Sequence, residues 1–136
     1  MPRILVIDDE PFVLDALSRV LATTAVTVIG ASNADEGLAA MGVSPVDLVI
    51  IDVILPGMDG VAAIKIIRRD YPGMRIIAIS GGGNFGLNAY LPDAISTSAY
   101  LAACTAAGAD GTLAKPFETA ELRALIDRVT SAQVTT

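Results

Sequence analysis

The sequence predicts an α/β fold: a doubly wound sheet of five parallel strands with helices on both faces. Three observations lead there. Short runs rich in Val and Ile recur along the whole chain, they lack the polar–apolar alternation of a half-exposed sheet, and each is followed by a stretch with helical apolar spacing.

The first run, "RILVI" (3–7), precedes a predicted helix over 11–23. That helix opens on Pro11, whose missing N–H costs nothing in a first turn, and puts Leu14, Leu17 and Leu21 on one face. "VTVIGA" (26–31) leads into a helix over 33–42, with Ser32 or Asn33 as its N-cap. "DLVIID" (47–52) is followed by a helix over 60–70, striped by Val61, Ile64 and Ile67 and stopped before Tyr71-Pro72-Gly73. "RIIAIS" (75–80) is the fourth strand, and a helix around 97–107 ends near Gly108 as its C-cap. "GTLA" (111–114) is weak and takes its assignment partly from its place in the alternation. The last helix, over 118–131, carries Leu122, Leu125, Ile126 and Val129. One domain spanning 1–136 is expected, its core about 3–131, with "SAQVTT" a frayed tail and no output domain.

Composition narrows the chemistry. Of the 136 residues 53% are hydrophobic, and the mean hydropathy is +0.61. Yet no apolar stretch approaches the ~18 residues of a membrane helix. The longest, "VDLVIIDVILPGM", is cut by Asp47, Asp52 and Pro56, as befits strands buried on both faces. The opening "MPRILVIDDE" lacks a signal-peptide pattern. The one cysteine, Cys104, excludes an internal disulfide, and in its Ala-rich setting it reads as a small buried hydrophobe. A cytoplasmic protein without membrane association is expected. No histidine is present, which excludes His-based catalysis and His metal ligands, and the net charge of −6 argues against direct nucleic-acid binding.

Ligands of such sheets bind at the carboxyl ends of the strands, and there the sequence gathers acids. Asp8 and Asp9 follow strand one; Asp52 ends strand three. Each alone would pass as a turn former. Together they repel: two carboxylates about 4 Å apart cost ~4 kcal/mol at an effective dielectric near 20. A cation would compensate them, and oxygen ligands without His or Cys favour Mg2+. Ser80 ends strand four and Lys115 follows strand five. Facing the acids, this hydroxyl and ammonium make sense if an anionic group joins the site.

The glycines of "AISGGGNFGLNAYLPD" (78–93) raise a nucleotide-binding alternative. It is the weakest reading, because the lysine of G-x-x-x-x-G-K-[ST] is missing and the glycines follow strand four instead of strand one.

The set "VIDDE" (6–10), "DVILPGMDG" (52–60), "AIS" (78–80) and "GADGTLAKPF" (108–117) resembles the receiver domain of two-component response regulators over roughly residues 3–131. Any one motif could match by chance; all four, in order at successive strand ends, form a specific signature. The resemblance implies a flavodoxin-like strand order 2-1-3-4-5. It also implies that Asp52 takes a phosphoryl group from a histidine kinase or phosphotransfer partner. Mg2+ would be held by Asp9, Asp52 and the backbone carbonyl of Ile54, with Asp8 assisting through a coordinated water. Lys115 would pair with a phosphoryl oxygen, Ser80 would hydrogen-bond the group, and the Lys115–Pro116 bond would be cis. Such a protein catalyses only its own phosphorylation and dephosphorylation, and signals by protein–protein contacts to a downstream protein. Pro56, Gly57, Asp59 and Gly60 then read as structural, with Asp59 capping the third helix, and Phe117 as a packing residue.

Two departures from the family pattern stand out. The aromatic switch residue common three positions before Lys-Pro is Thr112 here, which has no ring to bury. The span between Ser80 and Lys115 is also longer than usual by about a dozen residues, an elongated loop expected over about 81–96. Tyr90 or Tyr100 could replace the missing switch, though filling the space under the loop is the preferred reading; Gly81 would leave room for a donor, and Gly82 and Gly83 would let the loop bend over the site as a gate. Two other readings compete: a receiver-like binding module that needs no phosphate, and a Mg2+-dependent aspartyl-phosphate phosphohydrolase. The latter would place an acid two residues after its nucleophile, where this chain has Ile54.

Overall fold

The computed structural model describes residues 3–21, 26–55, 57–80, 93–115 and 117–134. Strands β1 (Arg3–Ile7), β2 (Thr27–Ala31), β3 (Leu48–Asp52), β4 (Arg75–Ser80) and β5 (Gly111–Ala114) alternate with helices α1 (Pro11–Leu21), α2 (Ala34–Val43), α3 (Gly60–Asp70), α4 (Asp93–Ala107) and α5 (Thr119–Val134). All strand pairs are parallel, and the order across the sheet is β2-β1-β3-β4-β5. Both the doubly wound class and the expected order are therefore present.

Strand periodicity divides the core in two. Leu5, Ile7, Val49, Ile51, Ile76 and Ala78 face the side covered by α2, α3 and α4, where Met41, Ile64, Ile67 and Cys104 meet them. Ile4, Val6, Leu48, Ile50, Ile77 and Ile79 face the other side, against Leu17 and Leu21 of α1 and Leu122, Leu125 and Val129 of α5. Successive residues of one strand thus enter opposite layers. Every position of β3 is buried, which is why "LVIID" reads as continuous apolar sequence and not as an alternation.

Helix starts follow the local chemistry. Asn33 is the N-cap of α2: its side chain accepts from the Glu36 N–H at 2.8 Å. Glu36 reaches back to accept from the Ser32 N–H at 2.8 Å and the Ser32 hydroxyl at 2.9 Å, a reciprocal box that holds the Glu36 carboxyl below its ordinary pKa. Asp59 caps α3 by accepting from the Ala62 N–H at 2.8 Å, as expected. The fourth helix begins at Asp93, ahead of the start expected near 97, and ends before Gly108, whose φ of +124° is a backbone state that favours glycine. Most of the expected elongated loop, with Gly81, Gly82, Gly83 and Tyr90, lies outside the described residues, as do Pro56 and Pro116 with the expected cis bond. Among the described residues no helix is long and apolar enough to cross a membrane.

Gly60 is a tight backbone joint between β3 and α3. Its N–H donates to the Val53 carbonyl at 2.7 Å, and a Cβ there would fall 2.6 Å from the Val53 Cα and against the Asp52 carbonyl oxygen. Only glycine lets α3 start this close to the end of β3. Gly60→Ala is therefore expected to cost about 1–3 kcal/mol through backbone displacement, read as a lower urea midpoint. An unchanged midpoint would mean that the β3–α3 turn yields freely.

Candidate functional site

The carboxyl edge of the sheet collects its side chains because four neighbouring strands end there. Asp8 lies just past β1, its N–H donating to the Ala31 carbonyl of β2 at 3.0 Å. Asp52 is the last residue of β3, and Ser80 the last of β4. Lys115 follows β5, its N–H bonded to the Ser80 carbonyl at 2.8 Å, so the β4–β5 ladder aims it at the same edge.

Lys115 is the hub. Its Nζ lies 3.0 Å from Asp8 Oδ2, 3.0 Å from Asp52 Oδ2 and 3.5 Å from Glu10 Oε1, with 8% of its side chain exposed. The remaining oxygens are held locally: Asp52 Oδ1 accepts from the Ile54 N–H at 3.0 Å and Asp8 Oδ1 from the Glu10 N–H at 2.9 Å. Each of these bonds fixes a short turn in which a carboxylate closes on the backbone two residues ahead.

Three acids around one ammonium leave negative charge in excess. Asp52 is 6% exposed, and its pKa is pushed up to about 6: burial raises it most, the Lys115 charge and the Ile54 N–H pull it down, and the Asp8 charge raises it again. Burial alone would depress Lys115, but the Asp52 charge and the hydrogen bonds to Asp8 and Asp52 outweigh it, so its pKa stands above the ordinary lysine value. The ammonium stays charged throughout the physiological range.

Ser80 is wholly buried, and its Oγ has no hydrogen-bond partner among the described residues. A buried hydroxyl left so costs about 1–3 kcal/mol, and an incoming oxygen acceptor would relieve it. One oxygen each from Asp8, Glu10 and Asp52 lies within 4.8 Å of the others. This all-oxygen set suits a hard cation such as Mg2+.

Of the residues expected at the site, Asp8, Asp52 and Lys115 are in direct contact, and Ser80 stands one strand over, beside them. Ile54 is 43% exposed and joined to the site through its N–H. Asp9 is exposed and outside the carboxylate group, which holds Glu10 instead. The sequence carried a signal for Glu10 in the third acid of "DDE", and the turn closed by Asp8 explains why the third and not the second faces inward. Cys104 is buried in the core, its thiol pushed up to about 11 by burial and then by the Asp59 and Asp52 charges, as an inert thiol should be. Beside the site, a cavity of about 780 Å³ runs between α1 and α5, with Glu10 and Lys115 at one end and Phe12, Leu17, Phe117 and Leu122 along its walls. Phe117 packs on the α1–α5 core as expected, while Phe12 is 83% exposed.

Known proteins share both the sequence pattern and the fold. Residues 4–127 match the sequence model of the response regulator receiver domain. The chain is 34% identical over 124 residues to the transcriptional regulatory protein YvrH of Bacillus subtilis, covering 90% of this chain and 46% of that one. It is 32% identical over 126 residues to the DNA-binding transcriptional regulator NtrC of Salmonella typhimurium, covering 93% and 24%. The chain therefore spans less than half the length of these relatives. Among solved structures, a CheY-like receiver domain protein of Methanospirillum hungatei superposes with a TM-score of 0.80 at 27% identity, covering 99% of this chain and 98% of that one. A response regulator of Chloroflexus aurantiacus superposes with a TM-score of 0.78 at 28% identity, covering 96% and 99%. The sequence match, the strand order and the acid–lysine edge agree: the chain belongs to the receiver-domain family of two-component response regulators.

Proposed function

We propose that this receiver is an active phosphoacceptor: Asp52 takes a phosphoryl group from a phosphohistidine of a sensor kinase or phosphotransfer protein in the cytoplasm, and the modified domain signals by protein–protein contacts. The observation that supports this most is the buried Asp52 carboxylate, set between Asp8 and Lys115, with an unpartnered Ser80 hydroxyl on the next strand.

In this reading an Asp52 oxygen attacks phosphorus, the P–N bond to the imidazole breaks, and the nitrogen keeps the electron pair. The product is an acyl phosphate on Asp52. The nucleophile has to be ionised, and with its pKa at about 6 it largely is at neutral pH. Lys115 exchanges a carboxylate partner for a phosphoryl oxygen, and Ser80 Oγ donates to another. Asp8, Asp9, Glu10, Asp52 and the Ile54 carbonyl are the candidate Mg2+ holders. When bound, the ion would neutralise charge spread over the equatorial oxygens. The chain's catalysis is confined to its own phosphorylation and dephosphorylation. A phosphohydrolase would need a general acid at the position of Ile54, which is apolar and exposed.

With a small acyl-phosphate donor and Mg2+, intact-mass spectrometry should show one phosphoryl group on the wild type and none on Asp52→Asn; equal labelling of both would overturn the assignment. Loss of labelling in Asp52→Asn alongside unchanged partner binding by the phosphorylated wild type would favour the phosphate-independent module that Thr112 keeps in view.

A pH dependence follows from the raised Asp52 pKa. A folded value of about 6 against an ordinary 3.8 means that the folded state holds this proton more tightly than the unfolded one. Asp52 thus contributes most favourably below about pH 4, and that contribution is lost as pH rises through 6. In Mg2+-free buffer at neutral pH, Asp52→Asn should exceed the wild type in stability by about 1–3 kcal/mol. The gap should close toward pH 4. Urea melts across this range check it, and a gap independent of pH would contradict the origin given.

A further inference from the structure

We propose that Arg68 and Asp110, at the amino edge of the sheet, are positioning residues for Lys115: they hold the edge strand β5 in the register on β4 that brings the ammonium to Asp8 and Asp52. The inference rests on the phosphoacceptor reading and extends it to the opposite end of the strands.

β5 is poorly equipped to set its own register. It lies at the edge of the sheet, none of its four residues is buried, and Leu113 is its one large apolar side chain on the core. β3 and β4 bury five positions each. Register is weakly specified where so little is buried. The contacts of Lys115, one residue past β5, nevertheless depend on it. A slip of one residue would carry that position about 3.3 Å along the strand and turn it to the other face, whereas its Nζ lies 3.0 Å from both carboxylates.

A polar lock supplies what apolar packing does not. The Asp110 N–H donates to the Ile76 carbonyl at 2.8 Å, and the Ile76 N–H donates back to Asp110 Oδ2 at 2.8 Å. Both backbone groups of Ile76 are thus taken by the residue just before β5, an exchange that a shifted strand would lose. Arg68 fixes this lock to α3. Its Nη2 donates to Asp110 Oδ2 at 3.0 Å and to the Gly108 carbonyl at 2.7 Å, and its Nη1 to the Pro72 and Met74 carbonyls at 2.6 and 2.7 Å. One planar guanidinium therefore ties the chain entering β4 to the chain entering β5. At the other end the Lys115 N–H donates to the Ser80 carbonyl at 2.8 Å, so β5 is pinned before its first residue and after its last.

Phosphorylation of the full chain by a small acyl-phosphate donor with Mg2+, timed by intact-mass spectrometry where every variant is folded, gives one readout. The Lys115 amide resonance of the metal-free, unphosphorylated chain gives a second. Asp110→Ala is expected to shift that resonance and to slow phosphorylation about tenfold, since a misplacement of about 1 Å can cost up to about a hundredfold. Asp110→Asn keeps an oxygen for the Ile76 N–H and should recover most of the rate. Arg68→Met keeps the apolar stem beside Gly108 without the donors, so it should act in the same direction, and the double variant should be no slower than the slower single one. Arg68→Met decides alone if Asp110→Ala does not fold. Met41→Ala, in α2 where it packs on β1 and β2, should lower the urea midpoint and leave both readouts unchanged. Rates of Asp110→Ala and Arg68→Met within twofold of the wild type, or an Asp110→Asn as slow as Asp110→Ala, would overturn the positioning role while the receiver reading stands. A wild type that takes no phosphoryl group would overturn both.

Discussion

One buried ammonium organises this molecule. Lys115 is placed by the last rung of the β4–β5 ladder and reaches across two strands to bind Asp8 and Asp52. Without it, carboxylates from β1 and β3 would face one another at low dielectric, where repulsion would compete with the packing that holds those strands together. With it, the central part of the sheet can end in acids and remain folded. The compensation is partial by construction: the cluster has more carboxylates than ammonium groups. Burial, aided by the Asp8 charge, keeps the Asp52 proton affinity high, and the excess charge leaves the edge receptive to a cation.

The fold around this edge is asymmetric. At the amino edge acids and cations are matched closely. Arg68, near the end of α3, donates to the Pro72, Met74 and Gly108 carbonyls at 2.6, 2.7 and 2.7 Å and to Asp110 at 3.0 Å. Asp110 in turn accepts the Ile76 N–H at 2.8 Å, and Asp47 exchanges two hydrogen bonds with the Arg3 backbone. Arg75 Nε is an exception, buried without a partner among the described residues. The exposed Arg68–Asp110 pair adds little by itself, but the bonds to three carbonyls close the α3–β4 and α4–β5 connections. Stability is concentrated at one end of the strands and unmet polar capacity at the other, as expected where a site is tolerated at the expense of local stability.

Most of this architecture was legible in the sequence, and the exceptions have physical reasons. The strands could be read because burial on both faces removes polar residues from every position, not from alternate ones. Asp59 and Gly60 could be read because an N-cap followed by a glycine has few other uses. The start of α4 could not, since "DAISTSAYLAACTAA" is rich in small residues and lacks a strong apolar stripe; among its described side chains Leu101, Cys104 and Ala107 join the core. The Pro92-Asp93 pair is the start signal that apolar spacing alone overlooks. At the site, strand-end positions identified Asp8, Asp52, Ser80 and Lys115. Which acid of "DDE" turns inward was beyond reach, because it depends on a turn that a carboxylate closes on its own backbone.

Thr112 bears on how such a site could be felt elsewhere in the domain. It sits on β5 opposite Ala78, within the ladder that positions Lys115. A ring there would be large enough to register whether Ser80 is engaged; a threonine is not. The site is tied to β4 by backbone: the Ser80 carbonyl accepts from the Lys115 N–H, and the Ile79 carbonyl accepts from the Val53 N–H next to Asp52 at 2.9 Å. Lys115 and the turn after Asp52 are therefore each one hydrogen bond from the end of β4. The far end of α4 is fixed to β4 and α3 through Gly108, Asp110 and Arg68. The site at the carboxyl edge and the Arg68 tie at the amino edge are thus joined to the same strand, β4, by backbone hydrogen bonds at both of its ends.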